Sequence, residues 1–194
     1  MLYLLLIFIN HNKLYLKFLF LFFTNLLIAQ SFNSPIKLTI GFNAVDAFPT
    51  NSQNIYNTGK LFEDFFVAEK HWNFNSVPLY LQGSYFIDKK TSINLGGTFN
   101  AISKLGNTTT AKSYFSINTS IDYSFLEKKI DPYFSIGIGG HFLRGHSSIT
   151  LDLGGGINFW IRKSLAFNIS SKYKHTRKIN GIPHFQHTVG ISIK

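Results

Sequence analysis

The chain has 194 residues, with no cysteine, 21 phenylalanines, 9 tyrosines and only 14% charged residues, against about 25% in ordinary soluble domains. That composition excludes a disulfide framework and a thiolate metal site, and the length suits a single domain. The formal charge of +10 does not argue for nucleic acid, because the lysines are scattered over turns, loops and strand ends instead of lining one motif; contact with anionic lipid headgroups is the more natural use of such a surface.

Residues 1–29 are the most apolar stretch. Lys13 and Lys17 precede the run Phe18-Leu19-Phe20-Leu21-Phe22-Phe23, and the small Ala29 comes just before Gln30-Ser31. A cationic flank, a short apolar core and a small residue at its end read as a cleavable secretory signal peptide. A retained transmembrane helix is the competing reading, but residues 14–29 fall short of the ~20 needed to span a bilayer.

From residue 35 to 194 the dominant period is two, the mark of strands with one apolar and one polar face. The first strand sets Ile36, Leu38, Ile40 and Phe42 against Lys37, Thr39, Gly41 and Asn43. The second, near 77–87, sets Leu79, Leu81, Tyr85 and Ile87 against Tyr80, Gln82 and Ser84. The third alternates Ile93, Leu95 and Phe99 with Ser92, Asn94, Thr98 and Asn100, and the fourth alternates Phe115, Ile117, Ile121, Tyr123 and Phe125 with Ser116, Asn118, Ser120 and Asp122. The fifth pairs Phe134, Ile136, Ile138 and Phe142 with Ser135, Gly137, Gly139 and His141; the sixth pairs Ile149, Leu151, Leu153, Ile157 and Phe159 with Thr150, Asp152, Gly154, Gly156 and Asn158. The seventh sets Leu165, Phe167 and Ile169 against Ala166, Asn168, Ser170 and Lys172, and the eighth sets Val189, Ile191 and Ile193 against Thr188, Gly190 and Ser192.

Connections at about 45–72, 103–112, 144–147 and 175–183 fall on one rim, and those at 88–90, 126–131 and 162–164 on the other. Long loops at one end and short, periplasm-facing turns at the other are the habit of membrane barrels. In the longest loop a short helix near 60–68 would gather Leu61, Phe65 and Phe66 beside Phe62. These four residues are the candidate contact with an extracellular partner.

Period two alone does not separate a soluble sandwich or lipocalin-type barrel from a membrane barrel. The side-chain sizes do. An eight-stranded barrel has a narrow interior, so the Phe, Tyr, Ile and Leu face fits outside and the Gly, Ser, Thr and Asn face inside. The inward set then holds Lys37, Asp122, Asp152 and Lys172, two of each sign. They are expected to pair into a network that closes the lumen, since isolated buried charges are strongly unfavourable. Trp72, Tyr80, Tyr114, Tyr133, Trp160 and Tyr173 stand at strand ends and suit interfacial girdles. The last strand must return to the first, because an open edge in hydrocarbon leaves backbone groups unpaired.

Catalytic and cofactor chemistry finds little support. His175, His184 and His187 form the closest histidine group but lack an HExxH spacing or a carboxylate partner. Ser147 and Ser148 beside His146 carry no nucleophile-elbow motif. The glycines at 137, 139–140 and 154–156 precede no helix and make no phosphate loop; they suit barrel curvature or room for interior side chains.

Four segments, Ile40-Gly41-Phe42-Asn43-Ala44-Val45-Asp46, His71-Trp72-Asn73-Phe74, Gly154-Gly155-Gly156-Ile157-Asn158-Phe159-Trp160 and His184-Phe185-Gln186-His187, resemble the N-terminal transmembrane domain of OmpA-like outer-membrane proteins. The resemblance extends over residues 36–194 and carries no catalytic signature. It implies an all-β, eight-stranded antiparallel transmembrane barrel in the outer membrane of a Gram-negative bacterium. Many such proteins continue into a periplasmic peptidoglycan-binding domain, whereas this sequence ends at Lys194, so anchoring through that domain is not expected. The last residue also departs from the aromatic terminus that resembles an assembly signal.

The resulting expectation is a non-enzymatic, monomeric structural barrel with a narrow or closed lumen and no cofactor, contributing to envelope integrity or surface adhesion. Outer-membrane lipids are its expected surroundings. A small porin or a barrel-type lipid-modifying enzyme is the alternative, and a soluble lipid-binding barrel the third reading.

Overall fold

The computed structural model describes residues 35–46, 72–74, 79–103, 111–126, 128–143, 146–176 and 183–194. The signal peptide expected at 1–29 and the candidate contact residues Leu61, Phe62, Phe65 and Phe66 lie outside these residues.

Nine strands are described: β1 Ile36–Asp46, β2 Trp72–Asn73, β3 Leu79–Phe86, β4 Thr91–Ile102, β5 Lys112–Ser124, β6 Ile130–Leu143, β7 His146–Arg162, β8 Leu165–His175 and β9 His184–Ile193. The two-residue β2 and β3 pair antiparallel with successive stretches of β1, Asp46 and Val45 first and Phe42 through Ile36 after them. Together they make one stave of the wall. The remaining strands meander, each antiparallel to the next, and β9 returns to β1 in a ladder from Leu38–Ile193 to Asp46–Phe185. The result is a closed wall of eight staves in which no stave lacks a neighbour, the condition for spanning hydrocarbon.

Stepping across paired residues from Ile36 through Tyr85, Ile93, Ile121, Ile136, Leu153, Tyr173 and Phe185 returns to β1 at Asp46, ten residues further on. Eight strands with that stagger tilt by about 40° and enclose a backbone cylinder of roughly 8 Å radius. Such a bore fills with side chains.

The strands run further than period two suggested. β6 and β7 continue to the pair Leu143–His146, so His146 and Ser147, expected in the loop at 144–147, stand on β7. β8 runs on to His175 and β1 to Asp46. The β1–β9 seam needs glycine at Gly41, where a Cβ would collide with the Val189 carbonyl and the facing Gly190.

Outer and inner faces differ as the period-two reading requires. Ile138 is 65% and Ile149 84% exposed, whereas Asn94 and Ser116 are 1% and 0% exposed. The apolar residues thus cover the outside of the wall and the polar ones its bore, the reverse of a soluble barrel. Along a strand of eleven residues tilted this way the outer band rises roughly 25 Å, the height of a membrane's apolar slab.

Candidate functional site

The lumen is where chemically active side chains converge. Lys37 on β1, Asp122 on β5, Asp152 on β7 and Lys172 on β8 all point into it and are buried. Lys172 Nζ donates to Ser120 Oγ at 3.2 Å, and Ser120 Oγ donates in turn to Asp122 Oδ1 at 3.3 Å. Since β6 and β7 separate β8 from β5, this relay crosses the bore. Lys37 is attracted by Asp122 and Asp131, and its ammonium lies 5.7 Å from the Phe86 ring centre and 5.8 Å from that of Tyr133 on the far wall.

Asp152 takes a partner the sequence reading did not include. Lys174 Nζ donates to Asp152 Oδ2 at 2.5 Å, with both side chains fully buried. Lys174 shares the inward face of Lys172 two residues earlier, on the stretch of β8 that runs to His175. Asp131 was missed at the other end of a strand: β6 begins at Ile130, not near Phe134, which turns Asp131 inward beside Tyr133. Among the described residues, Lys37, Lys172 and Lys174 and Asp122, Asp131 and Asp152 are thus buried facing the bore.

Toward the loop rim the bore is crossed again. Tyr114 Oη and His184 Nε2 are 2.7 Å apart, joining β5 to β9 on opposite sides of the wall. His141 stacks on Tyr114 with ring centres 6.0 Å apart and meets His184 edge-on at 5.3 Å. Val45, Ile102, Tyr114 and Leu143 make a buried apolar cluster at this end. Toward the short-turn rim Lys194 Nζ lies 4.1 Å from the Phe86 ring centre and 5.8 Å from that of Trp160.

The aromatic girdle needs correction. Tyr80, Tyr114 and Tyr133 are buried in the lumen instead of sitting at the lipid interface. Their positions have inward parity, and their hydroxyls find polar partners there: Tyr80 Oη donates to Gln82 Oε1 at 2.5 Å, and Tyr133 Oη accepts from Asn168 Nδ2 at 3.1 Å. Tyr85 and Tyr123 are the exposed tyrosines on outward positions. Trp72, by contrast, stacks on His187 with ring centres 4.2 Å apart.

The wall divides the histidine group, with His184 inside and His175 and His187 on outward positions of their strands. Ser147 and Ser148 likewise point to opposite sides of β7. Where β7 outruns β8 beyond the pair Leu151–His175, a cleft of about 730 Å³ opens at the loop rim. His141, Ser148, Thr150 and Thr176 line its polar side, and Ile138, Phe142, Ile149 and Leu151 its apolar side.

No family model and no curated protein sequence matches the chain. Solved structures do match it over most of its length. Neisserial surface protein A aligns with a TM-score of 0.55 at 13% identity, covering 83% of this chain and 97% of that one. The attachment invasion locus protein Ail of Yersinia pestis aligns at 0.51 and 12%, covering 82% and 98%. The N-terminal β-barrel domain of Pseudomonas aeruginosa OprF aligns at 0.50 and 10%, covering 81% and 96%. With the stave count, the closure and the inverted polarity, these matches establish that the chain has the eight-stranded OmpA-like fold of small outer-membrane β-barrels.

Proposed function

We propose that this chain is a structural, non-catalytic protein of the Gram-negative outer membrane, a monomer whose lumen is closed and whose exposed work is done at the loop rim. The closed lumen rests on one observation: side chains from opposite walls meet across the bore at two heights, Tyr114 with His184 and Lys172 with Ser120. A conducting pore would need these contacts parted and the Asp152–Lys174 pair opened. The likeness to Ail, an attachment invasion locus protein, favours surface adhesion as the role, with Leu61, Phe62, Phe65 and Phe66 as the contact residues.

Two measurements test this reading. Membrane fractionation should recover the protein with outer membranes, migrating faster on mild-detergent gels before heating than after. In planar bilayers it should show no steady conductance. A stable ohmic current would favour the small porin, and recovery from the aqueous periplasm without detergent would remove the membrane assignment.

A further inference from the structure

Each of the three short turns carries two adjacent cations within two residues of an exposed apolar residue. Ile87-Asp88-Lys89-Lys90 joins β3 to β4, Leu126-Glu127-Lys128-Lys129 joins β5 to β6, and Ile161-Arg162-Lys163 leads from β7 to β8. Lys194 stands at the same rim at the end of β9. Six turn cations thus face two turn carboxylates in the sequence, and Asp88 has an oxygen committed to the Lys90 and Thr91 backbone amides of its own turn.

The setting of these cations points to their partner. Ile87, Phe125, Leu126, Ile130 and Ile161 are exposed large apolar side chains that end the outer band one to three residues from the lysines and arginine. Lysine and arginine stems can lie along that band while their heads reach the phosphate layer. Short turns face the periplasm in this architecture, where the leaflet is made of phospholipid. A soluble polyanion would match the charge but would have no use for the flanking apolar ring.

We propose that the short-turn rim is a ring of binding sites for anionic phospholipid headgroups of the periplasm-facing leaflet, with Lys89, Lys90, Lys128, Lys129, Arg162 and Lys163 as the phosphate-contacting groups. The proposal rests on the membrane reading above and adds a headgroup preference to it. Attraction between these cations and an anionic surface is screened by salt.

The test places the protein in nanodiscs of equal phosphatidylglycerol and phosphatidylcholine and counts, by native mass spectrometry, the lipids it retains. Phosphatidylglycerol should be retained about fivefold over phosphatidylcholine, and 0.5 M salt, chosen to shorten the screening length to about 4 Å, should reduce the preference. Changing all six cations to glutamine should bring the two lipids to parity, and Lys89→Gln with Lys90→Gln alone should give an intermediate ratio if the six-fold variant fails to fold. Lys112→Gln, near the opposite rim, should leave the ratio unchanged. Equal retention by the unaltered protein, an unchanged ratio in the two turn variants, or a preference for lipopolysaccharide over phosphatidylglycerol in discs offering both would overturn the proposal. Heat-modifiable gel migration reports barrel folding separately, so loss of the headgroup preference in a barrel that still folds rejects this inference and spares the membrane reading.

Discussion

The two faces of the barrel wall obey opposite rules although they alternate residue by residue along the same strands. On β5, Ile117 and Ile121 stand exposed while Ser116, Ser120 and Asp122 are buried. The outer face makes few specific contacts and is suited to a fluid apolar solvent. Across the lumen wall, by contrast, named side chains pair with one another: Thr39 with Ser192, Thr98 with Ser116, Asn168 with Asn158, Lys174 with Asp152. The contrast teaches that this fold has no dry core in the usual sense. The closed ladder and the surrounding lipid supply the gross stabilisation, and the polar interior specifies which side chains meet.

If that division of labour is right, the most damaging single change lies in the lumen. Asp152→Ala should leave Lys174 buried without its counter-charge and lower stability by about 3–5 kcal/mol, whereas Asp152→Leu with Lys174→Met, which removes both charges together, should cost far less. Denaturant midpoints of the barrel in lipid vesicles measure both. A double variant as damaged as the single one would mean that the pair does more than neutralise itself.

The outer face should respond to charge and hardly at all to shape. Ile117 lies near the middle of β5 and is exposed; Ile117→Arg should cost about 2–4 kcal/mol in the same assay, and Ile117→Leu should be close to neutral. Tolerance of the arginine would place this face in water and reverse the assignment of the two faces.

Most of the wall was legible in the sequence because parity in a strand is rigid: once Ile36, Ile40 and Phe42 are outside, Lys37, Thr39 and Asn43 have nowhere else to go. Parity is also why Tyr80 and Tyr133 went inside despite their aromatic character, a placement the period itself contained. What period two does not mark is where a strand stops. A strand that enters a polar hairpin keeps its backbone ladder after its apolar alternation fades, and so β8 carried Lys174 and β6 carried Asp131 into the bore unannounced. Contacts across the lumen, such as Tyr114 with His184, depend on the stagger of ten, and that emerges only when all eight ladders are closed.

The smallest effect expected separates a charge in water from the charges in the bore. Asp88 Oδ1 accepts the backbone N–H groups of Lys90 and Thr91, each at 2.7 Å, in the turn between β3 and β4. The Lys90 amide, then the Thr91 amide, holds this carboxyl below its ordinary value. A carboxyl that ionises more readily when folded binds fewer protons in the folded state than in the unfolded one, so stability rises with pH across its titration. The contribution is complete above about pH 5, past the unfolded value, and disappears as pH falls through the folded one. Asp88→Asn keeps an oxygen acceptor but cannot titrate. The unaltered protein should therefore exceed this variant slightly in denaturant midpoint at neutral pH, and the difference should close as pH falls through the folded value. Protection of the Lys90 and Thr91 amides, taken relative to their intrinsic exchange rates at each pH, should fall over the same interval in the unaltered protein alone. A difference that persists at low pH would show that the turn uses the shape of this side chain and not its charge.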